Sequence, residues 1–384
     1  MKTTYRLMGL ACIMALLTLT NGCNKNDDDT PSPSGATWTE LGSGSAGLNA
    51  NNAINTLSVD GSGNVYASGN FTNSSGRQYI AQWNGTTWSE MGTGANALNA
   101  NNGINAFTTD ASGNMYATGS FSNTSGMPYV ARWNGTSWTE LGTGVNALAP
   151  NNSIRSIATD ASGNVYATGN FTNLSGKNYV AKWNGLTWSE MGIAADALNA
   201  NGTINVIKTD AAGNVYAAGN FTNSAGKYYA AKWNGTTWAE LGNLNANGQI
   251  RNIYIDNAGN VYAMGDFTNS SGKTYVAKWN GTTWTEVGSD GSGLNANGTI
   301  SSMVVSPSGD MYVAGNFTNS AGQQYIARWN GSTWTQVGPT SGTGSLNANG
   351  TINGLATDAN GNVYATGNFT NAGGSYYVAR YAVP

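Results

Sequence analysis

From residue 54 onward, short runs rich in Val, Ile, Tyr and Trp alternate with clusters of Gly, Asn, Asp and Ser. The stretch from Ile154 to Gly192, IRSIATDASGNVYATGNFTNLSGKNYVAKWNGLTWSEMG, holds four such runs. The first stops at DASGN, where Asp, Ser and Asn side chains bond nearby backbone and Gly accepts a left-handed conformation. The second, NVYATGNF, is dense in strand formers and stops at TNLSG. The third, NYVAKW, runs into Asn-Gly, a strong short hairpin signal, before the fourth, TWSEMG. No heptad or alanine-rich stretch favours a helix. The pattern predicts four short antiparallel strands per unit.

Tryptophan sets the register of the units. Trp38, Trp88, Trp138, Trp188, Trp238, Trp284 and Trp334 recur at fifty-residue steps apart from one of forty-six. A second series, Trp83, Trp133, Trp183, Trp233, Trp279 and Trp329, lies five residues before each later member of the first, and Tyr381 takes its seventh place. Four strands in about fifty residues, repeated, is the pattern of a β-propeller. There are seven first strands, starting at Ile54, Ile104, Ile154, Ile204, Ile250, Ile300 and Ile352. The last unit, Ile352 to Tyr381, lacks a fourth strand, whereas TWTEL at 37 to 41 precedes every first strand. Pairing these two ends would complete a seventh blade and leave no sheet edge open at the seam. The predicted fold is all-β, a seven-bladed propeller over residues 36–384 whose ring is closed by the N-terminal strand.

The units resemble kelch repeats. NVYATGN stands where that family has its paired glycines, and AKWNGLTW matches its aromatic, turn and Trp-bearing strand. In this chain the second glycine is usually Asn (Asn70, Asn170, Asn220, Asn316, Asn368), and the first aromatic is Trp rather than Tyr. The D-x-x-G-N-V-Y element is also similar to repeats of bacterial surface propellers.

Composition narrows the function. Charged residues make up 9% of the chain, Gly numbers 53 and aromatics 10%, which suits β-structure with tight turns. With 16 Lys and Arg and a net charge of −3, no basic face of the kind nucleic acid requires can be built. The N-terminus reads as a secretory leader: Lys2 and Arg6 precede LMGLACIMALLTLT, an apolar run too short for a permanent span. TNGC resembles the cleavage box of bacterial lipoproteins, which implies removal of residues 1–22 and lipidation of Cys23. Residues 23–35, containing NKNDDDTPSPSG, have the composition of a tether. An acidic stretch after the lipidated Cys resembles the surface-export signal of Bacteroidetes lipoproteins, so an outer-membrane lipoprotein facing outward is expected; a plain linker beneath an inward-facing one is the alternative. With Cys12 lost in the leader, Cys23 is the one remaining cysteine, which leaves no disulfide or thiolate metal site within the mature chain.

Candidate chemistry is sparse. The Trp series are read as packing at the rim of the blades, and the turn acids Asp60, Asp110, Asp160, Asp210, Asp256 and Asp358 as turn caps. Glu40, Glu90, Glu140, Glu190, Glu240 and Glu286 repeat with the blades, leaving Asp196, Asp266, Asp290 and Asp310 as local exceptions. The chain has no His and no nucleophile motif, so no catalytic residue, metal or cofactor is expected. Two sets of loops, LNANNAI and NFTNSSG with their equivalents, are expected on one face. Their amides and hydroxyls suit polyhydroxylated ligands, although Asn and Gly also simply make turns. Near the tunnel mouth the residue after each first-strand Ile is Asn55, Asn105, Arg155, Asn205, Arg251, Ser301 or Asn353. Arg77, Lys177, Lys227 and Lys273 make a basic rim. The expectation is a monomeric surface protein binding a glycan or envelope polymer at several weak sites, touching the membrane through its lipid only. An envelope-protein scaffold is the alternative, and a glycan-active enzyme a more distant one.

Overall fold

A computed structural model describes residues 35–383; the expected leader, Cys23 and nearly all of the tether lie outside them. Seven sheets, each of four antiparallel strands, form a ring. Blade one is representative: Ile54–Val59 lies innermost, followed outward by Val65–Gly69, Ala81–Trp83 and Trp88–Glu90. Blades two to six repeat this order, starting at Ile104, Ile154, Ile204, Ile250 and Ile300. Blade seven takes Ile352–Thr357, Val363–Gly367 and Ala379–Tyr381 from the end of the chain. Its outer strand is Trp38–Glu40, with Trp38 opposite Tyr381, Thr39 opposite Arg380 and Glu40 opposite Ala379. The two chain ends therefore close the ring, as the surplus Trp strand implied.

Each sheet is covered on both faces, which is why second strands such as VYATG, Val165–Gly169, are buried at every position. The core is shared between neighbours. Ile54, Leu57, Val65 and Phe71 of blade one pack with Ala356, Tyr364 and Val378 of blade seven. Phe71 is fully buried and meets Tyr79 edge to face at 4.9 Å, a pair repeated through the ring.

The paired tryptophans belong to this packing. Trp183 and Trp188 are direct cross-strand partners with centroids 5.8 Å apart. Trp188 donates its indole N–H to the carbonyl of Leu141, just past the outer strand of blade two, at 2.9 Å. All seven outer-strand tryptophans reach back in this way, and at the seam Trp38 donates to Val337 at 3.1 Å.

Candidate functional site at the tunnel mouth

Every inner strand carries a β-bulge one residue after its first isoleucine. In blade three Ile154 pairs with Gly169 and Ser156 with Thr168, leaving Arg155 unpaired between them. Such an extra residue bends the strand and re-aims its side chain. The strand-ending glycines follow from this bend, because a Cβ on Gly169 would collide with the carbonyl of Ser153 and sit 2.8 Å from the backbone nitrogen of Arg155.

The bulges bring five of the seven expected residues together. Asn55, Asn105, Arg155, Asn205 and Arg251 line a cavity of about 370 Å³ with Ser120, Ser153 and Gln249. Ser301 and Asn353 fall outside this lining: Ser301 donates to the Ile352 carbonyl at 3.3 Å, and Asn353 to the Asn368 side chain at 3.1 Å. Within the lining, Asn105 donates to the carbonyl of Ile154 at 2.9 Å, and Asn205 to Gln249 and the carbonyl of Ile250.

The two arginines differ in partner. Arg251 makes a fork with Asp266, Nε to Oδ1 at 2.7 Å and Nη2 to Oδ2 at 2.9 Å. Gln249 and Thr299 also donate to that carboxylate. Burial raises the Asp266 pKa, but the bonds from Arg251, Thr299 and Gln249 outweigh it and hold the acid below its usual value. Arg155 has a neutral partner in the same place, donating from Nε to Asn170 Oδ1 at 3.0 Å. Asn170 is itself held by Ser153 and Thr203.

Arg77, Lys177, Lys227 and Lys273 are exposed on the outer loops of this face, and their charged heads make no hydrogen bond or ion pair among the described residues. The loop asparagines are a different matter. Asn51 exchanges two bonds with Thr72, donating to its hydroxyl and accepting from its backbone N–H, and the same exchange recurs in every blade. Asn73 caps its own loop through Oδ1 and donates Nδ2 to Glu90 at 3.0 Å. The amides of Asn51, Asn73 and their equivalents, read from sequence as part of a sevenfold donor face, are thus committed to local bonds between loops and strands.

Sequence reasoning missed the lesser cavity residues Ser120, Ser153 and Gln249, and also Lys208. Lys208 keeps accessible surface at the fifth position of the inner strand Ile204–Thr209, with protein packed around it. Burial pushes its pKa down. Comparing inner strands position by position, as was done for Arg155, would have found it: the equivalents are Ser58, Thr108, Ala158, Tyr254, Val304 and Ala356.

No protein-family model matches the sequence, and no curated protein does. Solved structures do match. An extracellular domain of BT4673 from B. thetaiotaomicron aligns over 90% of this chain with a TM-score of 0.58 and 11% identity, and this chain spans 39% of that one. YCF48 bound to D1 peptide aligns over 92% of this chain and 99% of its own, at a TM-score of 0.58 and 13% identity. Virginiamycin B lyase from Staphylococcus aureus aligns over 91% and 99%, at 0.59 and 11%. The chain is a seven-bladed β-propeller. At these identities the likeness is one of fold, and the three neighbours include both a peptide complex and a lyase. No helix among the described residues is long and apolar enough to cross a membrane.

Proposed function

We propose that this propeller is a lipid-anchored, surface-displayed binding protein of the kelch-like type that holds a carbohydrate at the tunnel mouth. The observation that carries this reading is the cavity of about 370 Å³, lined by amide, hydroxyl and guanidinium side chains on the inner strands and the loops beside them. Such groups offer donors and acceptors to a polyhydroxylated ligand without an apolar wall to reward a hydrophobic one. Because the amides of Asn51, Asn73 and their equivalents are occupied, the reading is of one off-centre site on blades one to five in place of seven equal patches. A glycan array probed with the purified protein tests it: binding that Arg155→Gln and Asn205→Ala both weaken supports the reading. Absence of binding to any glycan would defeat it.

One observation favours the scaffold reading. Met127, Val145, Leu174 and Ile193 are exposed on loops of this face, all between blades two and four. The equivalents of Leu174 are Ser74, Thr124, Ser224, Ser270, Ser320 and Ala372, so the apolar character is local. A groove of about 420 Å³ beside Leu174 is lined by Pro150, Tyr179 and Trp188. If an envelope protein docks here, Leu174→Ser abolishes its capture and leaves glycan binding intact.

A further inference from the structure

Three consecutive blades place cations around the axis. The bulge position holds Arg155 in blade three and Arg251 in blade five, against Asn or Ser in the other five blades. Blade four contributes Lys208, three residues further along its inner strand than Asn205, hence about 10 Å from the mouth and two residues before the turn acid Asp210. No carboxylate pairs with Lys208 or Arg155 among the described residues, whereas Arg251 is neutralised by Asp266. Arg155 therefore stands at the mouth as a charge without a carboxylate partner. A cation in a cleft focuses its field on the opening.

Room for a ligand exists at the same place. Blade two carries Ser120 where other blades have Asn70, Asn170, Asn220, Asn316, Asn368 or the acid Asp266. Thr203 of blade four reaches Asn170 of blade three, and Thr299 of blade six reaches Asp266 of blade five. Ser153 holds the matching place next to Ser120, and no bond joins these two short side chains. Both line the cavity together with Arg155.

We propose that the ligand of the tunnel mouth is an acidic sugar, its carboxylate seated on Arg155 between the Ser120 and Ser153 hydroxyls. This rests on the carbohydrate reading of the cavity and adds the charge of the ligand. A guanidinium takes a carboxylate through paired donors, and the Arg155 fork has one nitrogen on Asn170, leaving its terminal nitrogens for the ligand. A peptide carboxylate is disfavoured because the lining has no apolar side chain to receive the residues that precede it.

The test compares uronate- and sialate-containing oligosaccharides with their carboxyl-reduced forms, titrated calorimetrically into the full chain at low salt. The acidic forms are expected to bind about tenfold more tightly, the worth of one charge-assisted bond. Arg155→Gln should erase that preference. Arg155 is exposed, so this substitution is not expected to unfold the protein; a thermal melt checks this. Equal affinity for acidic and reduced forms overturns the inference and leaves the carbohydrate reading standing. Binding of neither overturns both. A preference that survives Arg155→Gln, or a peptide with a free C-terminus that outcompetes every acidic sugar, also overturns it.

Discussion

At the scale of the residue, the repeated acids are structural and their partners explain their spacing. Asp60 accepts the backbone N–H groups of Ser62 and Asn64 on one oxygen and the Asn64 amide and Tyr66 hydroxyl on the other. Six blades share this arrangement. In blade six Ser306 stands in the place of the acid, and Asp310, four residues on, takes the carboxylate to Arg328 at 2.9 Å. Burial raises the Asp60 pKa, but the Asn64, Tyr66 and Ser62 bonds outweigh it, so it titrates below 3.8; Asp110, Asp160, Asp210 and Asp256 do likewise. Burial and the bond to Asp60 push Tyr66 up to about 12. A lowered carboxylate pKa stabilises the fold above the unfolded value and is lost as pH falls through the folded one. A raised tyrosine pKa stabilises below the unfolded value of 10.0 and is lost as pH climbs toward the folded one. The melting temperature is expected to fall below about pH 4, as the turn carboxylates protonate, and above about pH 10, as the tyrosines lose their stabilisation. Calorimetry across that range checks it, and Asp160→Asn should shallow the acid limb; an unchanged acid limb would show that these turns do not carry it. The turn role of the acids was legible from Asp, Gly and Asn at fixed offsets. The Tyr66 hydroxyl was not, because its approach to Asp60 depends on the pleat of the second strand.

At the scale of the element, the bulge is what turns a strand into a site. The alternation of apolar residues marks where an inner strand begins, but a bulge leaves no mark in composition, and it decides which side chain faces the tunnel. The clue in the sequence is the glycine closing the second strand, which resemblance to kelch repeats noted without supplying a reason. Gly169→Ala would set a Cβ against the Ser153 carbonyl and the Arg155 nitrogen, so either the bulge flattens or the strands part. Overpacking of this kind costs roughly 1–3 kcal/mol, small enough for the ring to survive. The expected outcome is a folded protein with a modestly lower melting temperature and no ligand binding at the tunnel mouth, since Arg155 is no longer re-aimed. Chemical denaturation measures the first part and the glycan titration the second. Gly163→Ala, in a turn where a Cβ meets nothing within 4 Å, separates the two effects: its positive φ of 79° strains the backbone while the bulge is left alone. If Gly163→Ala abolishes binding equally, the bulge is not the positioning element.

At the scale of the whole molecule, the ring has one seam, and the counting of tryptophans located it. What counting could not supply is how many separate ties cross it. The outer strand of blade seven adds its ladder to Ala379–Tyr381, the Trp38 indole bond to Val337, and the bond from Asn371 to Glu40 at 3.2 Å. Asn371 and Glu40 lie 331 residues apart yet repeat the Asn73–Glu90 pair, which spans 17. The seam is therefore built like every other outer strand, lacking only the covalent turn. Deleting residues 36–44 removes these ties together with the buried Trp38 and Leu41. Loss of one large buried aromatic alone costs roughly 3–5 kcal/mol, against a total of about 5–15 kcal/mol for a typical native protein. The deletion is expected to lower the melting temperature steeply and to expose the bared edge of Ala379–Tyr381 to association, visible as multimers in size-exclusion chromatography. The same truncated chain extended beyond Tyr381 by Asn-Gly-Thr-Thr, the connection found between Trp83 and Trp88, and then by the sequence of residues 38–44, should regain most of its stability as a monomer. If the extended chain melts as low as the deletion, the strand is not what closes the ring, and the covalent link from Gly44 into the first blade matters more than the pairing of the two ends.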